Sequence, residues 1–293
     1  MFIATLISDP AAPCLSPARA ETLRAAWDGG PLRWLAEGEA AEFPLAAEPA
    51  DLWAVWEALQ AQRIDLAVQP AAGRRKAMLI ADMDSTMIEQ ECIDELADMA
   101  GHGAAVAAIT ARAMNGELDF EPALRERVAL LKGLPESVVD DVMRDRITLR
   151  AGGRALLATM RAQGGYAVLV SGGFTAFTGR VAAALGFDEH RANLLHVADG
   201  LLTGTVGEPI LGRAAKLQAM QEITARRGLQ AAQVMAVGDG ANDLAMLQAA
   251  GAGVALHAKP SVAAQCRLRI NHGDLSALLF LQGYARANFV GGG

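Results

Sequence analysis

Three short, wholly apolar runs, each ending in a cluster of small or polar residues, constrain this chain more than anything else in it. Residues 77–81 run into Asp82, residues 166–170 into Ser171-Gly172-Gly173, and residues 234–237 into Gly238-Asp239-Gly240. An unbroken apolar run of four or five residues reads as a strand buried on both faces, and the stretches between these runs are helical in pattern. Two shorter runs, 253–256 and 268–270, read as further strands, and residues 194–206 as a hairpin around Asp199-Gly200. The expected class is α/β, a Rossmann-like parallel sheet covered by helices on both faces. In such open sheets ligands bind beyond the carboxyl ends of the strands, where these three polar clusters stand.

The first 70 or so residues follow another pattern. A strand over 2–7 leads to a helix opened by Ser16-Pro17, since serine caps a helix and proline suits its first turn. Strands over 32–36 and 41–45, a helix capped by Asp51 and a strand over 64–68 follow. The order βαββαβ is ferredoxin-like. Pro70-Ala71-Ala72-Gly73 and the basic Arg74-Arg75-Lys76 read as a solvated linker. The predicted division is therefore a small unit over 1–72 and a second domain over 73–293, with a helical insertion at about 89–150. Trp53 and Trp56 are expected in the core of the small unit.

At 293 residues, 52% hydrophobic and 20% charged, the chain can build sizeable cores, which rules out wholesale disorder. No run of about 18 apolar residues is present, so no membrane partner is expected, and the first ten residues lack the features of a signal peptide. The net charge of -7, with scattered basic residues and few aromatics, argues against a nucleic-acid partner. Cys14, Cys92 and Cys266 form neither a disulfide framework nor a metal spacing, which fits a cytoplasmic protein. The oligomeric state stays open, a homodimer included.

Beyond the strand ends, Asp82, Asp84, Asp239 and Asp243 would converge in one crevice. Four carboxylates at short range need a cation to stay ionised, and oxygen ligands without histidine or cysteine favour Mg²⁺. The Ser171-Gly172-Gly173 turn offers a hydroxyl and open backbone N–H groups to an anion, and Lys216 adds a point charge for a phosphate. Acids, a hard metal and an anion cradle suggest phosphoryl transfer, with one aspartate as nucleophile and another two residues on as acid and base. On a helix over 121–132, Leu124, Val128 and Leu131 share an apolar face with Arg127 at its border, where an anionic partner would satisfy it.

The run Asp82-Met83-Asp84-Ser85-Thr86, the Ser-Gly-Gly turn, Lys216 and Gly238-Asp239-Gly240-Ala241-Asn242-Asp243 resemble, in order and placement, the four motifs of the haloacid dehalogenase superfamily. With Glu91, Phe120 and residues 124–128 added, the resemblance is closest to its phosphoserine phosphatase family, and it covers about residues 77–275. It implies Mg²⁺-dependent hydrolysis of O-phospho-L-serine, the last step of serine biosynthesis. Asp82 would be the nucleophile and Asp84 the acid/base. The metal would be held by Asp82, the backbone carbonyl of Asp84, and Asp239, with Asp243 close behind. Ser171, Gly172, Lys216 and Asn242 would bind the phosphoryl group, Glu91 and Arg127 would read the ammonium and carboxylate, and Met114 and Phe120 would line the cap side. The N-terminal unit resembles, more weakly, the ACT-like domain of some bacterial members. The alternatives are phosphoryl chemistry on another small phosphomonoester, such as phosphothreonine or one involving homoserine, and an amino-acid sensor with a vestigial catalytic domain.

Overall fold

The protein, described here by a computed structural model over residues 1–114 and 117–291 with the Met114 side chain outside that description, contains two main sheets and a hairpin. Strand β1 (Phe2–Ser8), helix α1 (Pro17–Ala26), strands β2 (Arg33–Ala36) and β3 (Ala40–Leu45), helix α2 (Leu52–Gln60) and strand β4 (Ile64–Pro70) build the first sheet. Its order is β2-β3-β1-β4, antiparallel throughout. Ala4, Leu6, Phe43, Leu66 and Val68 on one face bury against Leu15, Leu52 and Leu59. Ser16 caps α1 as expected, accepting the Arg19 N–H. Asp51 does not cap α2, because its carboxylate accepts the Trp27 indole N–H at 3.0 Å instead.

The second sheet is wholly parallel. After β5 (Met78–Ala81), the chain runs through four helices, α3 (Cys92–Met99), α4 (Gly103–Met114), α5 (Phe120–Ala129) and α6 (Val138–Asp145), before α7 (Gly153–Ala162) and β6 (Tyr166–Phe174). Then come α8 (Thr175–Leu185), β7 (Glu189–Asn193), the hairpin β8 (Leu195–Ala198) and β9 (Leu201–Val206), α9 (Arg213–Arg226) and β10 (Val234–Gly238). The chain ends in α10 (Leu244–Ala249), β11 (Ala252–Leu256), α11 (Pro260–Ala263), β12 (Leu268–Ile270) and α12 (Ala277–Leu281). The strand order is β12-β11-β10-β5-β6-β7. Alternate strand residues bury on opposite faces: Leu79, Leu169 and Val237 against α7, α8 and α12, and Ile80, Val168 and Ala236 against α9 and α10. The hairpin turns on Asp199 and Gly200 at φ 51° and 74°, the left-handed pair that its sequence predicts.

Beyond Val170 the structure departs from the expected turn. Ser171-Gly172-Gly173 stays extended to Phe174, with a register irregularity against β7. The basic linker also differs from expectation. The Arg74 side chain is 10% exposed, pairs with Glu42 at 2.6 Å and donates to the Leu281 carbonyl at 3.1 Å. It is buried because the antiparallel sheet lies against α12, whose five residues are all buried. Asp65 on β4 joins the same contact, accepting the backbone N–H groups of Asn271, His272 and Gly273 at 2.8–3.0 Å. Trp56 packs against the small core as expected, but Trp53 is 42% exposed and carries the Arg269 guanidinium 3.9 Å from its ring centre.

Candidate active site

Strand order decides which clusters meet. β10, β5 and β6 are adjacent at the centre of the parallel sheet, so Asp82 and Asp239 follow neighbouring strand ends, and Ser171 stands on β6 just beyond its last pair with β5. The chain winds away from β5 in opposite directions to β6 and β10, which opens a crevice at that edge. The Asp82 N–H donates to the Val237 carbonyl at 3.0 Å, tying the first cluster to the third. Carboxyl oxygens of Asp82, Asp239 and Asp243 lie within 4.8 Å of one another. A Cβ on Gly238 would fall 2.4 Å from the Asp243 carboxyl carbon, so that carboxylate occupies space that any larger residue would fill.

Lys216 sits among these acids, its ammonium 2.6 Å from Asp82 and 2.7 Å from Asp243. It is 3% exposed, so it is no surface lysine. Burial opposes its charge, but the two carboxylates outweigh burial and hold its pKa above the usual lysine value. Burial lifts the Asp82 carboxyl well above the ordinary range; the Lys216 ammonium pulls it down, and Asp243 and Asp84 push it up. Asp239 is also raised, by burial and then by Asp243, while it accepts the Thr86 hydroxyl at 3.1 Å. One ammonium faces three clustered acids, all with oxygen donors. That set fits a hard divalent cation.

Asp84 has a different setting. One carboxyl oxygen accepts the Cys92 N–H at the start of α3 at 2.9 Å, and the other accepts the Ser171 hydroxyl at 3.0 Å. Ser171 in turn accepts the Gly173 N–H at 2.8 Å. A Cβ on Gly173 would stand 2.9 Å from the Asp84 carboxylate, and one on Gly172 would meet the Phe120 ring at 3.4 Å. The glycines thus leave a backbone-lined cradle between Asp84 and Phe120.

Residues of α3 and α5, with Glu91 just before α3, line one side of the crevice. Glu91, just before α3, accepts the Ser85 hydroxyl at 2.8 Å. Burial, and next the Asp84 charge, raise its pKa to about 7. Arg127 on α5 is half-buried and faces Asp94, Glu91 and Asp84, whose charges oppose the lowering of its pKa by burial. Arg125 points outward and pairs with Glu208. A cavity of about 260 Å³ lies between the two layers, lined by Asp82, Asp84, Glu91, Phe120, Arg127, Gly172, Asp239 and Asn242. Ser171, Lys216 and Asp243 lie directly beneath it through the bonds above. The Met114 side chain lies outside the described residues.

Residues 79–248 match the family model of the haloacid dehalogenase-like hydrolases. The chain belongs to this family. It is 45% identical over 204 residues to the phosphoserine phosphatase of Haemophilus influenzae, 70% of this chain and 65% of that protein, so the match stops just short of two thirds of that relative's length. It is 46% identical over 209 residues to the phosphoserine phosphatase of Polaromonas, 70% of this chain and 89% of that one. A haloacid dehalogenase family hydrolase from Salmonella enterica serovar Typhi superposes with a TM-score of 0.87 at 31% identity, over 96% of this chain and 98% of that one.

Several residues that serve this hydrolase's site escape a reading of motifs. Asn193, 2% exposed, donates to the Gly172 carbonyl at 2.8 Å and accepts the Leu211 N–H at 2.7 Å, bracing the cradle against the segment that enters α9. Lys259 lines the cavity, and its N–H donates to the Asp239 carbonyl at 3.3 Å. It follows β11, a fourth strand end, and the rule that found the other three would have found it. Thr86, on Asp239, stood inside the first motif without a role.

Proposed function

We propose that this hydrolase cleaves O-phospho-L-serine to L-serine and phosphate through an aspartyl-phosphate on Asp82. The observation that carries the substrate is that Glu91 and Arg127, an acid and a base, line the same cavity as Asp82. An acid and a base there match the ammonium and carboxylate of an amino acid whose phosphate points at the strand ends. The phosphoserine phosphatases of Haemophilus and Polaromonas support the same reading.

Asp82 attacks phosphorus through a carboxyl oxygen, and the bond from phosphorus to the serine oxygen breaks. Asp84 gives its proton to that oxygen, then takes one from the water that attacks the acyl phosphate. Ser171, the Gly172 cradle, Lys216 and Asn242 hold the phosphoryl oxygens, and Phe120 shields the substrate from solvent. Asp82, the Asp84 carbonyl, Asp239 and Asp243 would hold Mg²⁺. When bound, it would offset the acids and the charge on the transferring phosphoryl group. The helical layer over 89–150 is read as a cap that excludes water during the reaction.

Residues 1–72 are read as an ACT-like unit and 73–293 as the catalytic domain. The βαββαβ order and the β2-β3-β1-β4 sheet support that division.

The test is phosphate release from O-phospho-L-serine with Mg²⁺, alongside EDTA, O-phospho-L-threonine and Asp82→Asn. Metal-dependent release that prefers phosphoserine and disappears in the variant is expected. Turnover of other phosphoesters alone would discard the substrate and keep the chemistry.

A further inference from the structure

Arg150 lies outside the four motifs, on the segment that returns from the helical layer to α7. Its guanidinium reaches the loop after Asp84. Nη2 donates to the Ser85 carbonyl at 2.9 Å and Nε to the Thr86 carbonyl at 3.0 Å. Its own N–H donates to the Met87 carbonyl at 2.9 Å, and the next carbonyl, of Ala151, accepts the Leu275 N–H at 3.1 Å. The arginine therefore stands on an anchored backbone, and its reach is fixed.

Both residues it grips send a hydroxyl to a carboxylate of the site. Ser85 donates to Glu91 and Thr86 to Asp239. Ser85 also holds a left-handed conformation at φ 54°, which a non-glycine residue keeps only when its surroundings enforce it. Besides the arginine, the Ser85 backbone is held by its N–H bond to the Gln90 carbonyl at 3.2 Å. Gln90 is tied in turn to the returning segment, its side chain accepting the Thr148 N–H at 2.8 Å.

We propose that Arg150 is a positioning residue: it fixes the backbone of Ser85 and Thr86, and through their hydroxyls it aims Glu91 at the substrate and Asp239 at the reacting centre. The substrate part of this inference rests on the function proposed above. Because Arg150 belongs to the returning stem of the helical layer, it also ties the seating of that layer to the geometry of the nucleophile loop.

The experiment compares the wild type with Arg150→Gln and Arg150→Lys, using Arg154→Gln, an exposed arginine on the first turn of α7, as control. Each is assayed with Mg²⁺ on O-phospho-L-serine and on p-nitrophenyl phosphate, which has no ammonium for Glu91, at a temperature below its measured melting point. In Arg150→Gln, kcat is expected to fall about tenfold on both substrates, as small misplacements of reacting groups do. KM is expected to rise about tenfold on phosphoserine while staying within about twofold on p-nitrophenyl phosphate, the mark of one lost substrate contact. Arg150→Lys, able to keep one of the two bonds, lies between, and Arg154→Gln matches the wild type. Unchanged constants in Arg150→Gln, a KM rise equal on both substrates, or no recovery in Arg150→Lys would overturn the assignment. If Arg150→Gln does not fold, the same KM comparison on Arg150→Lys decides. A wild type active on p-nitrophenyl phosphate but not on phosphoserine sinks the proposed substrate. Arg150 then stands or falls on the kcat loss alone.

Discussion

Replacing Lys216 by methionine tests whether this side chain is the counter-charge of a buried acidic cluster or a plain helix residue. Methionine keeps the length and removes the ammonium. The structure gives Lys216 two carboxylate partners at 2.6 and 2.7 Å, with side-chain exposures of 3%, 7% and 0% for Lys216, Asp82 and Asp243. Removing one partner of a buried ion pair costs about 3–5 kcal/mol, because the remaining charge is stranded. Two acids are stranded here, so the upper part of that range applies. With roughly 2–4 °C per kcal/mol for chains of this general size, the variant should melt about 10 °C below the parent in EDTA at pH 8. The pH dependence has a definite sign. Burial already holds the Asp82 carboxyl above the ordinary range against the pull of Lys216, and without the ammonium that pull is lost, so its folded-state pKa stands further above the unfolded value. The folded form then binds more protons than the unfolded one, so the variant gains stability relative to the parent as pH falls from 8 towards about 4. Thermal unfolding followed by circular dichroism at pH 8 and pH 5, both in EDTA, measures the deficit and its trend. A variant within about 2 °C of the parent at pH 8, or a deficit that widens on acidification, would refute the ion-pair reasoning.

Three further outcomes follow from the geometry. Glu91, with its pKa near 7, must be ionised to pair with an ammonium. Hence kcat/KM on phosphoserine should climb as pH rises through about 7, and Glu91→Gln should lose that limb and raise KM. Gly173→Ala would set a Cβ 2.9 Å from the Asp84 carboxylate and 3.0 Å from the Ser171 hydroxyl, severing their bond. It should cost about tenfold or more in kcat with little change in melting temperature. Asp65→Ala removes the acceptor of three backbone N–H groups, of which that of Gly273 is left buried and those of Asn271 and His272 part-buried. A loss of about 2–4 kcal/mol, read from denaturant midpoints, is expected, with faster proteolysis near residues 70–76.

How much of this was legible in advance follows from the range over which each interaction acts. The acidic cluster was legible because strand and turn place its members locally, and a parallel sheet brings strand ends together whatever else the chain does. Lys216 was legible in part. Its spacing to Ala219, Met220 and Ile223 is that of one helical face, and all four are buried. That lysine on an apolar face was a sign of a buried partner. Arg150 and Asn193 left no such sign. Each works by gripping backbone carbonyls contributed by distant segments, and a carbonyl has no signature in the sequence.

The docking of the two sheets shows the same limit more sharply. Along β4, Ile64, Leu66 and Val68 alternate with Asp65, Ala67 and Gln69, a pattern that ordinarily means one dry face and one wet one. All six are buried. Asp65 takes the three N–H groups of 271–273, and Gln69 donates to the Leu281 carbonyl at 2.7 Å. A polar side chain satisfied by another segment's backbone reads in sequence the same as one satisfied by water, because alternation reports only that a hydrogen-bond partner is needed and not what supplies it. For the same reason the basic linker read as solvated: Arg74 is held by Glu42 and by the carbonyls at the end of α12, contacts that exist only once the antiparallel sheet has settled against the last helix.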